Sequence, residues 1–255
     1  RAGVSKTGLS AAVMNFVKVD SPLIALTNAR VIDGTGGPAR EAQTIIIKGR
    51  NIAAIGDSSG LPPPAGATTL DLTGKTVIPG LVMVHEHLYY PTGPQVYAQV
   101  GQSFIRLYLA GGVTTMRTGG NLTGIEDINF KNKIERGEMA GPFIDATAPY
   151  LNGPNTFVQM AALRNEGDAK RHVEYWADMG ATSFKAYMAI TRAELGAAIQ
   201  AAHARRLKIT GHLCSVTYSE AADLGIDNLE HGFFAATDFV AGKKPDECPG
   251  QGVGQ

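Results

Sequence analysis

Val77-Ile78-Pro79-Gly80-Leu81-Val82-Met83-Val84-His85-Glu86-His87 is the stretch on which the fold turns. It is an apolar run of strand length closed by two histidines, well short of the roughly 18 apolar residues of a membrane-spanning helix. Side chains two apart on a strand share a face, so His85 and His87 point inward together while Glu86 points out toward a helix layer. Two inward imidazoles on a buried strand need a partner. A divalent cation, which imidazole nitrogens bind at about 2.0 to 2.1 Å, supplies one. A hydrogen-bonded core histidine is the plain alternative for either ring alone.

Upstream of this stretch the pattern is short and β-like. Strand candidates at Leu23 to Ile32, Thr44 to Ile47, Ile52 to Ile55 and Thr69 to Leu72 are separated by turn-forming Gly, Pro, Asn and Asp. Gly34-Thr35-Gly36-Gly37 lacks the Lys-Ser or Lys-Thr of a phosphate loop and reads as a turn. Leu70 to Lys75 reads as a hairpin-like return. Downstream, strand candidates (Val77 to His87, Val113 to Thr118, Phe143 to Leu151, Thr182 to Met188, Lys208 to Cys214, Asn228 to His231) alternate with helix candidates (Gln95 to Ala110, Ile125 to Gly137, Asp168 to Met179, Thr191 to Arg206, Thr217 to Leu224). That rhythm predicts six βα units around a parallel sheet. Thr191 and Glu194 stand at the spacing of a capping box. The expected division is a lead-in over 1–22, a small β module over 23–79 and a βα region over 80–255, ending in a loop-like tail from Ala241.

The 255 residues carry 23 Lys and Arg against 23 Asp and Glu, a net charge of zero. Without a basic field, nucleic acid is a poor partner. No apolar run reaches membrane length, so the reading is a soluble protein acting on a small molecule, with homo-oligomerisation open. The compartment stays open between the cytoplasm and export after signal cleavage. Cys214 and Cys248, the two cysteines, form no CxxC pair and are expected to make neither a disulfide framework nor a thiolate zinc site.

Four of the six histidines close strand candidates: His85, His87, His212 and His231. His172 and His203 fall within helix candidates beside charged residues and read as solvated. Lys185 lies mid-strand in Thr182-Ser183-Phe184-Lys185-Ala186-Tyr187-Met188, where a lysine needs a buried partner. Burial beside cations lowers an amine's pKa, and a neutral amine adds carbon dioxide to give a carbamate that bridges two metals. A strand-end lysine snorkelling to solvent is the alternative.

The first-strand run ending His85-Glu86-His87, followed in order by Lys185, Ile209-Thr210-Gly211-His212 and Leu229-Glu230-His231-Gly232, resembles the amidohydrolase superfamily, nearest its imidazolonepropionase-like and prolidase-like branch. The resemblance implies a (β/α)8 TIM-type barrel with a small β-sandwich built from both chain ends. It implies two divalent metals, zinc first among Zn, Mn, Fe and Co. His85 and His87 would hold the more buried ion, Lys185 as N6-carboxylysine would bridge, and His212 and His231 would hold the second. A hydroxide between the metals would then hydrolyse a carbon-nitrogen bond, in an Xaa-Pro dipeptide or an N-acyl amino acid.

One departure bears on the activity. The family's general base is an Asp closing the eighth strand, and the two aspartates after His231, Asp238 and Asp246, follow no β run. Some 180 residues remain for a barrel that takes ~200 to 250, so the count predicts a barrel incomplete at its C-terminus, with open sheet edges. Two alternatives stay open: a mononuclear deaminase, which would place a Glu where Ser215 stands, and a catalytically incomplete fragment. Candidate substrate contacts are Tyr89, Arg117, Asn152 and Tyr187, with Arg117 as a fork for a carboxylate and the rings suited to an apolar, aryl or prolyl group.

Overall fold

A computed structural model of the chain describes residues 8–94, 96–154 and 160–250. Gln95, where the first βα helix was expected to start, lies outside the described residues, as do 1–7 of the lead-in and 251–255 of the tail. The chain divides into two compact units, one running to Leu81 and including Arg136–Ala140, the other made of Val82–Glu135 and Gly141 onward.

The first unit holds α1 (Ala11–Met14) and the strands β1 (Leu23–Val31), β2 (Arg40–Lys48), β3 (Asn51–Asp57), β4 (Thr68–Asp71) and β5 (Thr76–Val77). They form one five-stranded sheet in the order β3-β2-β1-β4, with β5 also on β1. Ala29, Val31 and Ile45 make its core, against Leu26, Ile47, Leu72 and Val77. Leu70 to Lys75 is not a return. Both β4 and β5 run parallel to β1, so the chain only kinks there. Asp71 Oδ1 accepts from the Thr73 amide and hydroxyl, and Gly74 takes a positive φ of 74° that favours glycine. The Gly-rich stretch 34–37 is the turn between β1 and β2, secured by the same device, Asp33 accepting from Thr35. Val77 belongs to this sheet, because Pro79 lacks the N–H needed to continue a ladder.

The second unit runs β6 (Leu81–Glu86), β7 (Tyr89–Gly93), β8 (Val96–Gln99), α2 (Gly101–Ala110), β9 (Val113–Thr118), α3 (Ile125–Glu135), β10 (Phe143–Asp145), α4 (Glu166–Asp178), β11 (Ser183–Ala186), α5 (Arg192–Ala204), β12 (Lys208–Gly211), α6 (Tyr218–Asp223) and β13 (Asn228–Leu229). Its sheets are β10-β9-β6 and β11-β12-β13. The chain leaving β10 links them, with the Ala148 amide 3.0 Å from the Ser183 carbonyl and the Leu151 amide 2.9 Å from that of Lys185. The six βα strands therefore stand side by side in chain order, the α/β arrangement expected. Phe184, Ile105, Met116, Ile144, Leu195 and Ile209 are buried between sheet and helices.

The expected helix from Gln95 does not begin until Gly101. Val96–Gln99 instead pairs antiparallel with Tyr89–Gly93. The β-favouring Val96 and Tyr97 prefer a strand, and the Pro91 to Gly93 bend folds it back on β7. The capping box on α5 is present, Thr191 and Glu194 bonding each other's backbone, and α6 has a second one from Thr217 and Glu220. The two late aspartates are helix partners: Asp238 accepts from the Tyr218 and Ser219 amides, and Asp246 from the Arg192 amide and guanidinium. Among the described residues no helix is long and apolar enough to cross a membrane.

Candidate metal centre

All five sequence-predicted metal ligands stand in the second unit. His85 is near the end of β6 with His87 just beyond it, Lys185 is in β11, and His212 and His231 follow β12 and β13. The ends of these strands come together. The His85 ring centroid lies 5.1 Å from that of His87 and 4.9 Å from that of His231, and His231 lies 4.4 Å from His212. Burial, reinforced by the neighbouring imidazoles, pulls the pKa of both His87 and His212 down to about 4. The rings are therefore neutral and able to act as ligands well below pH 7. Lys185 is 1% exposed, and burial lowers its amine to about 8 against the opposing pull of Glu230.

Glu86 points outward as expected, accepting from the Tyr108 hydroxyl of α2 at 2.6 Å. Glu230 is the residue that sequence reasoning missed. Its carboxylate is 2.6 Å from His85 Nδ1, and its Oε1 lies 3.1 Å from Lys185 Nζ and 3.1 and 3.2 Å from the two terminal nitrogens of Arg117. Strand alternation places Glu230 opposite His231, hence outward if that ring faces in. His231 breaks the alternation with a left-handed φ of 67°, which turns the chain so that both side chains reach the imidazole cluster. Burial raises the Glu230 carboxyl, but the His85 hydrogen bond and the charges of Lys185 and Arg117 outweigh it and hold the group well below the usual carboxylate range.

Arg117, expected to dock a substrate carboxylate, is engaged internally. Besides Glu230 it donates to the Val84 carbonyl at 2.9 Å and the Thr210 hydroxyl at 2.5 Å, stitching β9 to β6 and β12. Asn152 is buried and accepts from the Ala189 amide at 2.8 Å, a loop clamp. Tyr89 and Tyr187 do flank the cluster, at 4.8 Å from His87 and 5.0 Å from His212. Tyr150 joins them, its hydroxyl 2.5 Å from that of Tyr89 and its ring 4.8 Å from Tyr187.

Two expectations fail near this region. His172 is not solvated: it bonds the Pro149 carbonyl at 2.9 Å through Nε2, and burial lowers its pKa. Its helical spacing hid a tertiary contact, whereas His203 is exposed and bonds Asp227 as a surface residue does. Cys214 and Cys248 form a disulfide. Two cysteines 34 apart gave no spacing signal; the tail returns because Asp246 pairs with Arg192 and Lys243 Nζ reaches the Ser215 carbonyl at 2.6 Å.

Among the described residues no three His, Cys, Asp or Glu side chains close tightly enough around one point to enclose an ion. The local chemistry nevertheless fits one. His87 Nδ1 and Lys185 Nζ are buried without a hydrogen bond, the lysine facing Glu230 only as an ion pair. Gly119 lies against the His85 ring, and a β-carbon there would stand 2.6 Å from Nε2. Glycine at this position, with no positive φ to require it, keeps the space beside that nitrogen open.

No protein-family model matches the chain. It is 38% identical over 84 residues to an enamidase of Eubacterium barkeri, covering 33% of this chain and 21% of that one. Against an N-acyl-D-aspartate deacylase of Alcaligenes xylosoxydans xylosoxydans it is 32% identical over 96 residues, 37% of this chain and 17% of that one. A solved Xaa-Pro dipeptidase with bound methionine superposes with a TM-score of 0.70 at 20% identity, over 83% of this chain and 62% of that one. The chain thus spans about a fifth of the length of these curated relatives and under two thirds of the solved one. Ordered motifs, strand order and clustered imidazoles are in keeping with these likenesses, and over the superposed part the chain has the fold of the solved dipeptidase.

Proposed function

We propose that the protein hydrolyses a carbon-nitrogen bond of a small amide or peptide-like substrate at a binuclear metal centre. In this reading His85 and His87 would hold one divalent ion, zinc first, His212 and His231 would hold the other, and Lys185, as N6-carboxylysine, would serve both. The observation that carries it is the gathering of four strand-end imidazoles at 4.4 to 5.1 Å beside a buried lysine. When bound, two such ions acidify a water and polarise the scissile carbonyl.

The chain's own residues supply the rest. The imidazoles of His87 and His212, held neutral by burial, offer lone pairs without first losing a proton. Tyr89, Tyr150 and Tyr187 form an aromatic wall beside His87 and His212, which suits an apolar, aryl or prolyl group and excludes water from one side. The Xaa-Pro dipeptide reading draws support from this wall and from the dipeptidase likeness, and the N-acyl amino acid reading from the deacylase likeness. With Arg117 bound to Glu230, a substrate carboxylate would need another docking group. The deaminase reading gains nothing, since the Ser215 hydroxyl donates to the Ile190 carbonyl.

Elemental analysis and amide-hydrolysis assays on the full-length protein, with and without Lys185→Ala, test the proposal. Two ions per chain and hydrolysis in the wild type, with metal and activity lost in the variant, support it. Fewer than two ions and no amide cleaved in the wild type overturn it.

A further inference from the structure

We infer that Glu230 is a positioning residue of the metal centre, its carboxylate holding His85 in the tautomer that presents Nε2 to an ion. The inference rests on the binuclear reading above, but its structural half stands alone. Glu230 Oε2 is 2.6 Å from His85 Nδ1, while the other oxygen faces the Arg117 fork and the Lys185 amine. A carboxylate among cationic groups is an acceptor only, so Nδ1 must carry the proton it donates, and in the neutral ring the lone pair then sits on Nε2. That is the nitrogen beside which Gly119 leaves room.

Metal-binding histidines are commonly fixed in this way by a carboxylate on the second nitrogen, which sets the ring's direction and raises its basicity. The backbone supports this reading over incidental packing. The left-handed φ of His231, a conformation residues with a β-carbon seldom adopt, lets neighbouring positions both face the cluster. Glu230 faces the cluster, whereas β6 sends Glu86 outward to Tyr108. Glu230 also gathers three strands' worth of ligand support, from His85 of β6, Arg117 of β9 and Lys185 of β11.

Nitrogen-15 NMR of the histidine rings in the metal-free full chain, with His85 assigned through His85→Gln, reads the tautomer directly. The expected result is a proton on Nδ1 of His85. A proton on Nε2 overturns the inference, whatever the metal content. Zinc titration of Glu230→Leu and Glu230→Gln supplies the second readout. Loss of the second-nitrogen partner is expected to weaken zinc binding about 10- to 100-fold in the Leu variant, with less loss in Gln, whose carbonyl oxygen still accepts from Nδ1. Should Glu230→Leu fail to fold, Glu230→Gln with the wild-type tautomer decides. Zinc affinity in the folded variants equal to wild type overturns the positioning role. A wild type that binds no zinc instead overturns the metal-centre reading, while its His85 tautomer still reports on Glu230.

Discussion

The ends of β6 and β13 each carry a glutamate beside a candidate ligand histidine, yet the two glutamates face opposite ways. Glu86 lies between His85 and His87 on a regular strand and turns out to the Tyr108 hydroxyl. Glu230 precedes His231, which has a left-handed backbone, and lies inward among His85, Arg117 and Lys185. The same residue type is thus a surface-layer acceptor in one place and the charge at the centre of a buried cluster in the other. The face each strand end turns to the cluster separates the two roles, and the surroundings then set their energetic weight.

Arg117→Met breaks the inner arrangement most. Removing one partner of a buried pair leaves an uncompensated charge, a loss of about 3 to 5 kcal/mol, toward the lower end because Lys185 still faces Glu230. Denaturant unfolding should show a lower midpoint with an unchanged slope; a midpoint within error of wild type would mean that the Arg117 stitch holds nothing. Cys248→Ser tests the strand end between the two, that of β12, where the tail is tied to Cys214. A loop closed across 34 residues restrains the unfolded chain by about 3 to 4 kcal/mol. The variant and the reduced wild type should unfold at the same lower midpoint, and a reduced wild type as stable as the oxidised one would contradict this.

The contrast also marks where the amino-acid sequence was readable. Regular alternation told the faces of His85, Glu86 and His87, and the inward lysine of β11, because a strand with normal φ has a period of two. Helix starts were legible wherever a side chain caps the backbone locally, as Thr191 and Glu194 do. Glu230 was not legible, since nothing in Leu229-Glu230-His231-Gly232 announces a left-handed histidine. The β7–β8 hairpin, the His172 bond to Pro149 and the disulfide were hidden for a related reason. Each depends on a partner far along the chain, or on a turn whose direction the local pattern leaves open.

Tyr108→Phe probes the outer side. It deletes two hydrogen bonds, one donated to a carboxylate that water can still reach in part and one shared with the Tyr90 hydroxyl, a loss of about 2 kcal/mol. Zinc affinity should stay at the wild-type value, in contrast to the Glu230 variants. A drop in zinc binding as large as theirs would erase the distinction between the two strand ends.

A third carboxyl separates burial from partnership. Asp127 of α3 is 1% exposed, more deeply placed than Glu230, but its hydrogen-bond partners are uncharged: the Gln99 amide at 2.8 Å and the Thr118 hydroxyl. Without cations nearby, burial dominates and raises its pKa to about 7, where cations hold Glu230 low. The folded state therefore keeps a proton that the unfolded chain gives up near 3.8. Between those values the folded form binds more protons, so this contribution to stability is fully present at acid pH and is lost as pH rises through about 7. Thermal midpoints of wild type and Asp127→Asn, measured from pH 5 to 8, should therefore converge or cross in favour of the amide as pH rises. A difference independent of pH would mean that Asp127 is ionised throughout, and that depth alone does not set the charge of a carboxyl in this fold.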